Sequence, residues 1–500
     1  MILVRTLGVA AALCMFCISA AEAAGPGTDA VRVAYAAPID SLDPLMMIEG
    51  LPLFRSIFDA LTDTGPDGSL QPRLAESWTA SDNSRSWTFR IRAGATWSDN
   101  TPVTADDVVF TVDRILSTPT SLNHNYMAAV TAVTRTGVRD ITFTLRRPIA
   151  AWPRQMTLIS IVPRQAYTRL GPAGFAAHPV GSGPYRVSDW DRAGNLTLSA
   201  NPGYWGARPD IATVTMVPLA DSVARLNGLL AGEIDVIPLA PQQVPLASGR
   251  AHIEVETVRS NRVVYLGFNV NNALLHALPL RQAIDAAIDR AAITRYLLSG
   301  LARPSGILIA PATFGYDAAL HPTAYDAAKA RQLVTASGYK GQPIQLDYAT
   351  DGTVPLGSQV AQAIGGYLEA AGIRIRLHGI DQRSLVASWI THKFPGLYIF
   401  SYAPSTMDAA LVTGSLLGSG GARYFTDPRV DALEQAQQAE ADPVKRARLF
   451  SELLGLSNSN LYYAPLFNDS YSFASRTDKV RFTPRADGYI LAQDLHPATP

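Results

Sequence analysis

Cysteine is nearly absent from this 500-residue chain. Its two copies, Cys14 and Cys17, both stand at the very start. Lysine is scarce as well, occurring at Lys329, Lys340, Lys393, Lys445 and Lys479, so arginine carries most of the positive charge. Neither sign of charge prevails, with 42 basic residues against 42 acidic ones. A neutral chain without a basic cluster lacks the electrostatic footprint of a nucleic-acid or anionic-lipid binder. Beyond the first residues there is no apolar run long enough to cross a bilayer, no low-complexity tract and no internal repeat.

What is present begins with a leader. Arg5 gives a short basic start, Thr6 to Ile18 is apolar, and Ala21-Glu22-Ala23 offers small residues where a signal peptidase reads. A signal peptide over 1–23 is expected, cut after Ala23. The apolar run is shorter than the ~20 residues a spanning helix needs. Leu13 before Cys14 and Phe16 before Cys17 make no lipobox, so no lipid anchor is expected. Both cysteines leave with the leader, and the mature chain enters an oxidising compartment without a thiol. Its length is ample for a large core without covalent staples and suggests about three domains.

Periodicity sketches the elements. Val31 to Tyr35 reads as a strand, and Trp87 to Arg92 and Ile141 to Leu145 alternate with period two, as half-buried strands of one antiparallel sheet do. Between them Thr104 to Leu116 is expected to be a helix, with Asp107 reaching back to Thr104 as a capping box. Asp221-Ser222 opens a second helix that Gly232 can end. Val263 to Phe268 has no polar face, which suits a strand buried on both sides. Leu280 to Leu298 carries the longest helical pattern, closed by Gly300. A helix around Gln359 to Ala371 leads through Gly372 into an alternating strand at Ile373 to Leu377. The first half therefore reads as α+β and the second as α/β layers.

An exported hydrolase is the competing class, and its motifs are missing. No serine has the Gly-x-Ser-x-Gly context, and no His-Glu-x-x-His, Gly-x-Gly-x-x-Gly or P-loop occurs. Ser337-Gly338-Tyr339-Lys340 fits Ser-x-x-Lys, but both Ser-Asp-Asn copies, at Ser81 and Ser98, precede it and Lys-Thr-Gly is absent. The eight histidines are dispersed, with no pair at metal-ligand spacing. A glycosidase-like carboxylate pair stays open at this level.

A set of landmarks in fixed order carries the positive reading. It runs from Leu74-Ala75-Glu76-Ser77-Trp78 through Trp87 to Asp99 and Thr101 to Phe110. It continues with Val180-Gly181-Ser182-Gly183-Pro184-Tyr185, Asn201 to Gly206, Gly232 to Val236, and Phe268-Asn269 ahead of Leu280-Arg281-Gln282-Ala283. In this order the chain resembles the family 5 extracytoplasmic solute-binding proteins, the peptide- and nickel-type receptors of bacterial ABC importers. The resemblance implies an α/β two-lobed periplasmic-binding-protein fold (type II, a Venus flytrap) with an extra small α+β domain. Mapped onto this chain, domain I takes 24–47, 178–262 and 478–500, domain II 48–177 and domain III 263–477, with hinge crossings near Val263 and Arg481. It further implies a periplasmic monomer without cofactor, metal or catalysis, which hands a small solute to an inner-membrane ABC permease. Peptides are the first expected cargo; an opine, a sugar conjugate or a metal chelate are alternatives.

The same resemblance points to contact residues. Glu49, Gly50 and Leu51 match the segment with which oligopeptide binders touch their peptide. In Ser401 to Asp408, Tyr402 takes the aromatic position and Ser405 stands where peptide binders carry an ammonium-pairing aspartate, leaving Asp408 as the remaining acid. A hydroxyl does not replace a buried carboxylate opposite an ammonium. Either Asp408 takes that role through a small slip in register, or the solute lacks a free amine.

Overall fold

A computed structural model describes residues 30–36, 39, 41–46, 51–352 and 354–498. The expected signal peptide lies outside these residues, as do Glu49 and Gly50.

One eleven-stranded sheet joins the two lobes. Its strand order is Ile375–Ile380, Ile344–Ala349, Leu397–Tyr402, Ile253–Phe268, Tyr463–Arg476, Val236–Leu239, Ala30–Tyr35, Thr213–Pro218, Leu196–Ala200 and Tyr185–Trp190, with Arg303–Pro304 paired beside Tyr463–Arg476. The two central strands, 16 and 14 residues long, belong to both lobes. Over Ile253 to Arg259 and Ser470 to Arg476 they pair within the N-terminal lobe, where Val236–Leu239 joins them. Over Val263 to Gly267 and Tyr463 to Asn468 they pair within the C-terminal lobe, where Leu397–Tyr402 joins them. Between the two stretches the register shifts, and this break marks the hinge.

On the first strand the shift lies between Arg259 and Val263. On the second it lies between Asn468 and Ser470, and Tyr463–Arg476 runs on through it as one strand. Arg481 stands on a short strand, Val480–Phe482, paired with Leu495–Pro497.

Val263 to Phe268 is buried on both sides. Val264, Leu266 and Phe268 enter one apolar core and Tyr265 the other. Gly267 is required here, because a Cβ on it would lie 2.1 Å from Tyr398 Cζ. A separate four-stranded antiparallel sheet (Ala75–Ser81, Ser86–Ile91, Asp140–Leu145 and Val130–Arg135) forms the extra domain with the helix Ala105–Leu116. That helix starts as its sequence says, with Asp107 Oδ2 accepting the Thr104 N–H at 2.8 Å.

The expected long helix over Leu280 to Leu298 is broken. Leu278–Ala287 ends at Ile288, which is extended, and Asp289 caps a new turn that runs on into Ile293–Leu297. The break accompanies a buried cation: Arg290 donates to Pro465 O at 2.8 Å and Asp285 O at 3.0 Å, and pairs with the Asp285 carboxylate. These bonds tie the start of the new turn to the neighbouring hinge strand, an anchor that helical periodicity does not register.

Candidate ligand cleft

The candidate segment follows directly from the sheet. Leu397–Tyr402 ends at the seam between the lobes, a loop carries Ser405, Thr406 and Met407, and Asp408 caps the helix Ala409–Leu416 through the Ala410 N–H at 2.9 Å. A cavity of about 560 Å³ opens beside that loop. The extra domain contributes Arg147, Ile149, Ala151 and Gln155 to its wall, and the C-terminal lobe contributes Thr406, Ser415, Glu434 and Gln438 among others. Hydroxyls and carboxamides of this kind suit a polar solute held by hydrogen bonds. Buried Glu434 accepts from Gln437 Nε2 at 2.9 Å and Gln438 Nε2 at 3.2 Å, and burial pushes its carboxyl above the ordinary range.

The structure separates the residues that the sequence grouped. The Tyr402 hydroxyl lies 2.8 Å from Ser415 Oγ, so it stands behind the cavity wall, and burial pushes the phenol up. Ser405 is half-buried in the loop, while its neighbour Thr406 reaches the wall. Leu51 opens the short helix Leu51–Ile57.

Asp408 faces arginines of the protein itself. It is fully buried, and its two oxygens accept from Arg446 Nη1 at 2.8 Å and Nη2 at 2.7 Å, with Arg154 Nε a further 3.5 Å away. Two guanidiniums already surround it, so a slip in register does not make it the partner of a solute's ammonium. Burial lowers the Arg154 guanidinium from its ordinary value against the pull of Asp408, and Arg446 adds like-charge repulsion.

Two polar clusters escaped the sequence reading. At the hinge, Ser260 donates to Asp469, Arg262 Nη1 meets Asp469 Oδ2 at 3.2 Å, and Asn468 Nδ2 donates to Ser260 O at 3.0 Å and Arg262 O at 2.7 Å. Burial raises the Asp469 carboxyl although Arg262 pulls it down. These side chains satisfy the backbone that the register shift leaves unpaired. The signal was present: Ser260-Asn261-Arg262 separates the alternating stretch Ile253 to Arg259 from the apolar run Val263 to Phe268. Nearby, Arg485 reaches from the C-terminal segment to Thr64 O at 2.7 Å and Asp487 at 2.9 Å, and Arg55 bridges Asp487 at 3.1 Å and Asp63 at 2.5 Å. The Arg485–Thr64 and Arg55–Asp487 contacts span more than 400 residues of sequence, beyond any local pattern.

Among the described residues no group of three or more His, Cys, Asp or Glu side chains is placed to hold a metal ion, and no helix is long and apolar enough to cross a membrane.

Known proteins share this arrangement. The probable D,D-dipeptide-binding periplasmic protein DdpA of Escherichia coli K12 is 25% identical over 486 residues, covering 92% of this chain and 92% of that protein. The glutathione-binding protein GsiB of Escherichia coli O157:H7 is 26% identical over 470 residues, covering 89% of this chain and 88% of that protein. HbpA2 from Haemophilus parasuis has the same fold, with a TM-score of 0.86 at 20% identity, over 94% of this chain and 100% of that one. The model of the bacterial extracellular solute-binding proteins, family 5 (middle part), matches residues 69–424, from the extra domain into the C-terminal lobe. With two lobes hinged on a shared pair of strands and that match across most of its length, the chain belongs to the family 5 bacterial extracellular solute-binding proteins.

Proposed function

We propose that the chain is a periplasmic receptor that takes a small peptide or peptide-like solute between its lobes and delivers it unchanged to an inner-membrane ABC permease. One observation carries the reading: the cavity beside Thr406 is walled by both lobes, so a solute there is contacted from both sides and favours their closure. The dipeptide- and glutathione-binding names of the relatives support a peptide-like cargo. Thr406, Ser415, Gln155 and Gln438 are the proposed contacts in the cavity, with Tyr402 and Ser405 supporting the loop. Glu49, Gly50 and Leu51 are proposed as additional contacts from the N-terminal lobe. With Asp408 enclosed by arginines and Ser405 at the amine position, a solute lacking a free α-ammonium fits best. A cleaved leader and a monomeric exported chain complete the proposal.

The test is a thermal-shift screen of peptides, N-acylated peptides, opines, glycans and chelated metals, followed by mass spectrometry of the recovered compound. A ligand raises the melting temperature by mass action and is recovered intact. Chemical conversion of the bound compound refutes the receptor reading, and tight binding of free dipeptides refutes the preference for a blocked amine.

A further inference from the structure

The helix Pro428–Ala439 ends without the usual means of closing a helix. Glu440 follows in an extended conformation, with φ −83° and ψ 109°, and no left-handed glycine caps the last turn. The last carbonyls of a helix have no partner within it and must find one elsewhere. Ala436 O accepts the Glu440 N–H at 3.1 Å, and Gln437 O accepts Arg446 Nε at 3.2 Å. The remaining two look across the seam to the extra domain. Gln438 O accepts the Ala150 N–H at 2.8 Å, and Ala439 O accepts Ser84 Oγ at 3.0 Å.

Charge follows the same line. Arg147 Nη1 donates to Gln438 Oε1 at 2.8 Å, so a cation from one lobe stands at the negative end of a helix in the other. Arg147 and Gln438 also line the cavity.

The turn that presents Ser84 is the tight hairpin loop between Ala75–Ser81 and Ser86–Ile91. Asp82, Asn83 and Ser84 are three successive non-glycine residues in the left-handed region, at φ 48°, 52° and 63°. Buried Ser84 also accepts the Ile149 N–H at 3.1 Å on its carbonyl, so one turn fixes both the hydroxyl and the segment that carries Ala150.

We propose that the extra domain is a clasp: Ser84, Arg147 and Ala150 cap the end of the 428–439 helix across the seam and bias the two lobes toward closure. These contacts join the lobes outside the two hinge strands, and separation hands the freed carbonyls to water. Each bond is therefore individually weak and reversible, as a clasp that must release its cargo requires. The inference rests on the two-lobed fold and not on the identity of the solute.

Single-molecule energy transfer on the full chain tests it without any ligand. Dyes are placed at Val138→Cys in the extra domain and Val444→Cys in the C-terminal lobe, both well exposed, in a C14S/C17S background. Ser84→Ala and Arg147→Ala are each expected to lower the closed-to-open ratio about 3- to 10-fold. Arg147 is exposed, so its alanine variant keeps the fold even if Ser84→Ala does not. An unchanged ratio in Arg147→Ala, or a single transfer state in the parent and in the variants, overturns the clasp. An unchanged ratio in Arg147→Ala overturns the clasp alone, whereas a single transfer state in the parent also counts against closure over a solute; the thermal-shift screen reads capture separately.

Discussion

Replacing Asp408 by asparagine separates two roles for the residue. In the structure its carboxylate is fully buried and held by Arg446 at 2.7 and 2.8 Å, with Arg154 at 3.5 Å. Asp408→Asn keeps the volume and a cap for the helix Ala409–Leu416, since asparagine caps about as well as aspartate. What it removes is the only carboxylate paired with both buried Arg446 and half-buried Arg154 among the described residues. Breaking a buried pair by deleting one partner costs about 3–5 kcal/mol. For a lobe of some two hundred residues, each kcal/mol moves the midpoint by roughly 2–4 °C, so a fall of about 10 °C is expected. Denaturant unfolding followed by tryptophan fluorescence, with a thermal melt alongside, measures it. A loss below about 1 kcal/mol, or a normal melt with abolished binding of a free-amine peptide, refutes the internal role. Asp408→Ala is expected to lose about 1 kcal/mol more, because the cap goes too.

Other outcomes follow from the same geometry. Gly267→Ala drives a methyl into the ring of buried Tyr398, which stacks on Phe394 at 4.2 Å, and should cost about 2–3 kcal/mol in denaturant unfolding; a neutral effect contradicts the packing. Gln155→Ala and Thr406→Ala should weaken binding of the compound returned by the screen about tenfold in calorimetry while leaving the melt within a few degrees; unchanged affinity in both places the solute elsewhere. The Arg429 hydrogen bonds depress the Asp427 carboxyl to about 2. A carboxyl lowered in the folded state adds stability above its unfolded value, near 4, and loses it as pH falls toward 2. Asp427→Asn should therefore show a smaller drop in stability between pH 4 and pH 2 than the parent chain, and an equal drop refutes the assignment.

Much of the fold was legible because it is written locally. Thr104 and Asp107 announce a helix start three residues apart, and Asp221 with Gly232 (φ 76°) brackets another. The doubly apolar run from Val263 to Phe268 announces a strand with cores on both faces. The site was less legible because its decisive partners are remote. Nothing around Asp408 foretells Arg446, 38 residues on, or Arg154 in the other lobe. The pattern from Leu280 to Leu298 promised one helix, and periodicity could not register that Arg290 bonds Pro465 O, 175 residues away. Glu49 and Gly50 lie outside the described residues, so their part in the site rests on sequence alone.

The paired central strands have a mechanical consequence. Backbone bonds stitch them firmly on either side of the register shift, so flexure concentrates in a few residues around Ser260 and Asp469. Such a leaf spring bends easily in one direction and resists shear and twist. Each stroke should then bring Gln155 and Thr406 back to the same facing positions, with the cavity rebuilt in the same shape every cycle.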